Sequence, residues 1–272
     1  MRQISFTKMV ASGNDFVVID ESHQVTKSPS HQKLAKKICD RKFGVGADGL
    51  LVLEKSKVAD IKMRIFNPDG SEAEMCGNGA RCIALWVTAN RKPQTANPKI
   101  ETKAGVIESQ VNGNSVKIKL TNPKELKLEI PIKINNRLLK VNFINSGVPH
   151  TAIFVAGLDK IDVVNLGRQV RYHPRFKPAG TNVDFVEVLG DNSIKIRTYE
   201  RGVEDETLAC GTGAVASSLI AYRLSLIAVS LTDVLTRSGE ILKVYFNKVG
   251  NNFKDVWLEG RAKIVYKGVC NV

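Results

Sequence analysis

Cys76 and Cys210 lie in two copies of one short pattern, Met75-Cys76-Gly77-Asn78-Gly79-Ala80-Arg81 and Ala209-Cys210-Gly211-Thr212-Gly213-Ala214-Val215. Each cysteine is followed by small residues and then by an apolar run with helical spacing, Ile83-Ala84-Leu85-Trp86-Val87 in the first copy and Val215-Ala216-Ser217-Ser218-Leu219-Ile220 in the second. The pattern predicts a sulfur at a helix N-terminus in each copy. Unpaired N–H groups and the positive end of the helix dipole favour a thiolate there, so both thiols are expected to have a depressed pKa. The glycines let backbone amides approach a bound anion closely. Two such thiols on opposite faces of one carbon could invert a stereocentre, one removing a proton as thiolate and the other returning one as thiol. An amino-acid α-carbon is a poor acid. With no pyridoxal lysine motif and no metal cluster in the sequence, its carbanion would need backbone donors at the two helix ends, for which Gly77-Asn78 and Gly211-Thr212 are the natural choice.

The elements that must position the cysteines repeat as well. Ile61-Lys62-Met63-Arg64-Ile65-Phe66-Asn67 matches Ile194-Lys195-Ile196-Arg197-Thr198-Tyr199-Glu200, and Ala47-Asp48-Gly49-Leu50 loosely matches Val183-Asp184-Phe185-Val186. The cysteines are about half a chain length apart, so the chain reads as a duplicated domain with one cysteine per copy. Many short strands with one central helix per copy predict an α+β fold of two pseudo-symmetric domains, each a curved or barrel-like sheet around its helix, with the cysteines facing each other across the cleft between them. Residues 1–122 form the first domain, completed by a returning strand at 262–272, and residues 123–261 form the second.

Several separated blocks resemble the diaminopimelate epimerase family of cofactor-independent amino-acid isomerases. They are Gly13-Asn14-Asp15-Phe16, Phe66-Asn67-Pro68-Asp69-Gly70, Cys76-Gly77-Asn78-Gly79-Ala80-Arg81-Cys82, Pro149-His150, Gly180-Thr181-Asn182, and Tyr199-Glu200-Arg201-Gly202 leading to Cys210-Gly211-Thr212-Gly213. The resemblance implies interconversion of LL- and meso-diaminopimelate, in lysine and peptidoglycan-precursor synthesis, with no cofactor and no metal. It implies Cys76 and Cys210 as catalytic groups, with His150 and Glu200 supporting them. Substrate contacts are implied for Asn14, Asn67, Gly77, Asn78, Asn182, Glu200, Arg201, Gly211 and Thr212. Arg201 is also a candidate on its chemistry, because a guanidinium can grip a carboxylate with two bonds. Blander readings stand beside these: Asn14 and the Asn67-Pro68-Asp69-Gly70 segment as turn formers, His150 as a structural histidine, Glu200-Arg201 as a surface ion pair. Two departures from the family pattern bear on specificity. Gly49 stands where many members carry a substrate-binding glutamine, and Val148 where asparagine is common, so a same-fold racemase acting on glutamate, proline or hydroxyproline stays open.

Composition narrows the classes. The chain has 272 residues, 43% of them hydrophobic, enough for a sizeable core in each half. Forty Lys and Arg against 27 Asp and Glu give a net charge of +13, which could suggest nucleic acid. The lysines, however, alternate with apolar residues, as in Val116-Lys117-Ile118-Lys119-Leu120, the pattern of a half-exposed strand. The positive field could steer an acidic substrate. Five cysteines without disulfide spacing suit a reducing, cytoplasmic compartment, and the N-terminal stretch predicts no signal peptide. The apolar run from Ser217 to Leu235 is interrupted by Arg223 and reads as a buried helix plus a strand rather than a membrane span. A homodimer is compatible with the sequence, which does not decide oligomeric state. Gly44-Val45-Gly46-Ala47-Asp48-Gly49 matches the dinucleotide fingerprint literally. It follows a helix that starts near Ser28-Pro29, and it opens a strand, the reverse of the required context, so nucleotide binding is rejected. Cys39 and Cys82 are expected in the core.

Overall fold

The fold is described from a computed structural model, for residues 3–22, 30–91 and 95–271. The chain divides into two compact units, Met1–Ile118 with Gly260–Val272 and Lys119–Glu259. In the first unit the order is β1 (Gln3–Ala11), β2 (Asn14–Asp20), α1 (His31–Ile38), β3 (Gly49–Glu54), β4 (Ile61–Phe66), β5 (Glu72–Ala73), α2 (Gly77–Asn90), β6 (Lys99–Thr102), β7 (Gly105–Asn112) and β8 (Ser115–Lys119). The second unit has β9 (Lys124–Ile134), β10 (Arg137–Asn145), β11 (Pro149–Phe154), α3 (Val163–Arg171), β12 (Asn182–Gly190), β13 (Ser193–Glu200), β14 (Asp205–Thr207), α4 (Gly211–Arg223), β15 (Leu231–Leu235), β16 (Ile241–Val249) and β17 (Asn252–Arg261). β18 (Lys263–Asn271) then pairs antiparallel with β1.

The pairing scheme is the same in both units. β1–β2 is antiparallel, β2–β3 parallel, β3–β4 antiparallel and β4–β6 parallel, and β10–β11, β11–β12, β12–β13 and β13–β15 repeat that series. The short strands β5 and β14 pair with β4 and β13. β18 covers the edge of β1 as β9 covers that of β10. The two parallel steps are bridged by helices, α1 and α3 for the first and α2 and α4 for the second, as parallel pairing requires.

The helices after the cysteines are the hubs. α2 is buried from Asn78 to Val87 and packs on β1, β4, β6, β7 and β18, while α4 is buried from Gly213 to Ala221 and packs on β10, β11, β12, β13, β15 and β16. A helix apolar on every side can exist only if the sheet curves around it. On the other face of the first sheet, Leu34, Ala35 and Ile38 of α1 join Ile4, Phe6, Val17, Ile19, Leu50 and Val52. Val163 and Val170 of α3 do the same for Ile153, Val183, Phe185 and Tyr199. β3 and β12 lie between two helical layers, which is why Gly49–Leu53 and 182–186 are buried without alternation.

Registers correct one expectation. Leu50 opposes Phe66 and Val183 opposes Tyr199, so Leu50 corresponds to Val183 and Leu51 to Asp184. The loose match of Ala47 with Val183 was three residues out, because Asp48 lies in the loop before its strand whereas Asp184 lies inside one. Glycines confirm the corrected register: a Cβ on Gly79 would meet Leu51 at 3.2 Å, and one on Gly213 would strike the Asp184 carboxylate. The Ser28-Pro29 helix start lies outside the described residues; α1 as described begins at His31 after Ser30.

Candidate active site

Cys76 is the N-cap of α2 and Cys210 the N-cap of α4, both with extended backbone (φ −142° and −119°). Their carbonyls accept the first helical hydrogen bonds, from the N–H groups of Ala80 and Ala214. Small residues at 77–80 and 211–214 let each helix start close against the sheet.

In the first unit Asn14, Cys76 and Asn78 come together. The Asn14 side-chain oxygen lies 4.0 Å from Cys76 Sγ and accepts a bond from Asn78 Nδ2 at 3.4 Å. Asn78 is held in turn by Arg81, whose Nη2 donates to Asn78 Oδ1 at 2.5 Å and to Ser12 Oγ at 2.9 Å. Arg81 is fully buried. Its cost of burial is offset by bonds that join the start of α2 to the β1–β2 turn and, through the Arg261 carbonyl, to the end of β17. On its other side Asn14 donates from Nδ2 to Asp48 Oδ2 at 2.8 Å. Arg41 Nη2 bridges Asp15 and Asp48 at 2.7 Å each, and Lys8 pairs with Asp15 at 2.6 Å. Burial opposes the Asp15 charge, but the bonds from Arg41 and Lys8 outweigh it and hold the carboxyl well below its usual range. The G-x-G-x-x-G loop therefore serves as a clamp for Asn14, which composition alone did not reveal. Asn67 is exposed, with Nδ2 bonded to Ser71 Oγ at 2.9 Å inside its own turn.

In the second unit the site is a buried polar network. His150 Nδ1 is 2.7 Å from Asp184 Oδ2 and its Nε2 is 2.9 Å from Thr212 Oγ1. Thr212 Oγ1 lies 3.5 Å from Cys210 Sγ. Asn182 Nδ2 donates to the Pro149 carbonyl at 3.2 Å and lies 3.3 Å from His150 Nε2, while its Oδ1 accepts from the Arg201 N–H at 2.7 Å. The Arg201 guanidinium donates to the Ala179 carbonyl at 3.1 Å. Burial pushes the Glu200 carboxyl up, with Asp184 adding to the effect.

The depressed pKa expected for both cysteines does not hold at Cys210. Burial pushes this thiol well above its ordinary range, and the nearby Glu200 and Asp184 carboxylates add to the shift, outweighing Thr212 and the Gly213 N–H. At neutral pH Cys210 therefore rests as a thiol. Iodoacetamide should alkylate it, in the ligand-free protein at pH 8, at least about tenfold more slowly than an ordinary exposed thiol; mass mapping of the Cys210 peptide checks this. Cys39 and Cys82 are buried core thiols, the first pushed up to about 11 and the second higher, both by burial.

Asp184 and Thr198 were missed by sequence reasoning. The available signal was an aspartate within the apolar run Val183-Asp184-Phe185-Val186, a charge that needs a buried partner. A hollow of about 460 Å³ in the first unit, lined by Phe6, Trp86 and Val269 among others, holds none of the site residues. Among the described residues, no group of three or more His, Cys, Asp or Glu is placed to hold a metal ion.

Solved structures similar to this chain share its fold. A phenazine biosynthesis protein of the PhzF family from Bacillus anthracis superposes over 100% of both chains with a TM-score of 0.78 at 20% identity. A hydroxyproline epimerase from Agrobacterium vitis, with bound trans-4-hydroxy-L-proline, gives 0.73 at 16% identity over 98% of this chain and 92% of that one. Sequence relatives are much nearer. The diaminopimelate epimerase of Aquifex aeolicus is 42% identical over 97% of each chain, and that of Archaeoglobus fulgidus 43% identical over 99% of this chain and 97% of the other. The diaminopimelate epimerase family model matches residues 6–125 and 142–265, which include both helix-capping cysteines, and the chain belongs to that family.

Proposed function

We propose that the chain interconverts LL- and meso-2,6-diaminopimelate, a step of lysine and peptidoglycan-precursor synthesis. The observation that carries this reading is identity above 40% along essentially the whole length of diaminopimelate epimerases. The same reading makes a small-molecule amino acid the partner and allows a homodimer. It puts the chain in the cytoplasm, a compartment that suits five free cysteines. No helix among the described residues is long and apolar enough to cross a membrane.

The mechanism proposed is two-base proton transfer between Cys76, Cys210 and the substrate α-carbon. Backbone N–H groups of Gly77-Asn78 and Gly211-Thr212 meet the α-carboxylate as it takes up charge, the place where preorganised donors lower the barrier most. Asn14 and Asn78 orient that end of the substrate beside Cys76. Asn182 and Arg201 serve the second unit, with Asn67 contributing from its turn. Cys210, resting as a thiol, is the proton donor when Cys76 abstracts. His150 and Glu200 support the exchange of protons at sulfur. The test is direct: purified protein in D2O, given LL-diaminopimelate, should produce meso product carrying deuterium at the inverted carbon. Glutamate, proline and hydroxyproline should show little α-proton exchange; preferential exchange on one of these would replace diaminopimelate as the substrate.

Specificity should respond to position 148. Val148 is half-buried in the loop before β11, and Gly49 has no room for a simple restoration, since a Cβ there would lie 3.3 Å from both the Phe16 ring and the Phe66 carbonyl. Val148→Asn alone is therefore the cleaner change. It should raise the ratio of kcat/KM for diaminopimelate over glutamate by about three- to tenfold, one polar contact's worth. An unchanged ratio removes position 148 from the specificity account.

A further inference from the structure

We propose that Asp184 is a positioning residue for the reaction: it fixes His150 in the tautomer whose Nε2 accepts a hydrogen bond, so that Thr212 can pass a proton from Cys210 to the imidazole. The proposal rests on Cys210 acting as an acid–base group.

His150 and Asp184 are both fully buried and 2.7 Å apart. An ionised carboxylate only accepts, so the imidazole proton sits on Nδ1 and Nε2 is left as the acceptor. The group that faces Nε2 most closely is the Thr212 hydroxyl at 2.9 Å, and the same oxygen lies 3.5 Å from Cys210 Sγ. Asp184 is itself held rigidly, since Thr198 Oγ1 donates to Oδ1 at 2.8 Å and leaves Oδ2 for the histidine. The chain of contacts Cys210, Thr212, His150, Asp184 is thus continuous and in one direction.

The first unit supplies the contrast. Registers make Phe16, Leu51 and Ile65 the counterparts of His150, Asp184 and Thr198. Where one copy packs three apolar residues, the other buries a hydrogen-bonded imidazole and carboxylate and a hydroxyl. Burying a carboxylate is costly even when its hydrogen bonds are made, and an apolar substitute is often no less stable. The polar version therefore points to a chemical use, and the resting thiol at Cys210 supplies one. To act as a base, Cys210 must first lose its proton. The Sγ–H bond breaks as a new bond forms to Thr212 Oγ1, the hydroxyl proton moves to His150 Nε2, and the imidazolium stays opposite the Asp184 carboxylate. Sulfur is left as thiolate and no proton is lost from the count.

The test separates the two half-reactions at saturating diaminopimelate in D2O. In a Cys76→Ala background, α-proton exchange of the isomer whose hydrogen faces Cys210 should fall at least about 30-fold when Asp184→Asn is added, because the amide can donate to Nδ1 and move the ring proton to Nε2. Thr212→Val, which removes only the bridging hydroxyl, should reproduce the loss and serves as the second variant if Asp184→Asn is poorly folded. In a Cys210→Ala background, Asp184→Asn should leave exchange by Cys76 within about threefold of its parent, which a general loss of structure would not do. Equal losses in both backgrounds, or no loss in the first, overturn the role of Asp184. A Cys76→Ala parent that exchanges neither isomer overturns Cys210 as a base, and the relay with it.

Discussion

Cys76→Ala and Cys210→Ala should each abolish inversion, by about a thousandfold or more, and yet exchange the α-proton of opposite isomers. On the two-base mechanism proposed above, the size follows from removing one of two proton-transfer groups, each contributing on the order of 10² to 10⁴. The pairing follows from geometry at a tetrahedral carbon. A single remaining thiolate reaches only the hydrogen on its own face, so it can remove and return a proton there without producing the mirror configuration. In the unmutated protein the same logic governs isotopes. Early product formed in D2O should carry solvent deuterium, because it is protonated on the opposite face by a thiol already exchanged with solvent. Unreacted substrate should remain largely protiated, since the carbanion is protonated on the opposite face or takes back its own hydrogen faster than that hydrogen exchanges with solvent. In the single mutants only the return is open, and exchange accumulates over many returns. A single shared base would carry that hydrogen into product. Near-normal epimerisation by both single mutants would end the two-cysteine reading.

The duplicated strand, loop and helix pattern made the α+β class legible, and it located each cysteine at its helix start, because small residues followed by an all-apolar run have few other uses. Two things were not legible for physical reasons. The first is the thiol at Cys210: helix dipole and N–H groups argue for a thiolate, and only three-dimensional burial beside Glu200 and Asp184 reverses the sign. The second is the partner of His150. His150 and Asp184 are 34 positions apart in sequence, and it takes the parallel pairing of β11 with β12 to bring them together. Local pattern carries period and propensity, but non-local strand pairing decides which polar side chains share a buried layer. Asn67 shows the local case: the turn that Pro68 and Gly70 announce is formed, with the Asn67 amide bonded to Ser71 Oγ across it.

The same asymmetry predicts unequal outcomes for one substitution made in both copies. Gly79 and Gly213 occupy equivalent positions in α2 and α4, and alanine inside a helix gains about 0.5–1 kcal/mol over glycine. At Gly79 the added methyl group would meet a Leu51 methyl at 3.2 Å, the end of a side chain that can turn by a few tenths of an ångström. Gly79→Ala should therefore be nearly neutral, within about 1 kcal/mol. At Gly213 the methyl group would strike the Asp184 carboxylate. That group can yield only by breaking its bonds to His150 and Thr198, which each hold one of its oxygens. Gly213→Ala should cost about 3 kcal/mol, the upper end for an overpacked interior, measured by denaturant unfolding. Because the collision displaces Asp184, it should also reduce epimerisation at least about a hundredfold, the scale of one general acid–base contribution. Combining it with Asp184→Ala, which removes the obstructing carboxylate, should give a double mutant more stable than the two single losses added together. Equal costs at Gly79 and Gly213, or strict additivity in the double mutant, would show that the carboxylate is not fixed against the start of α4.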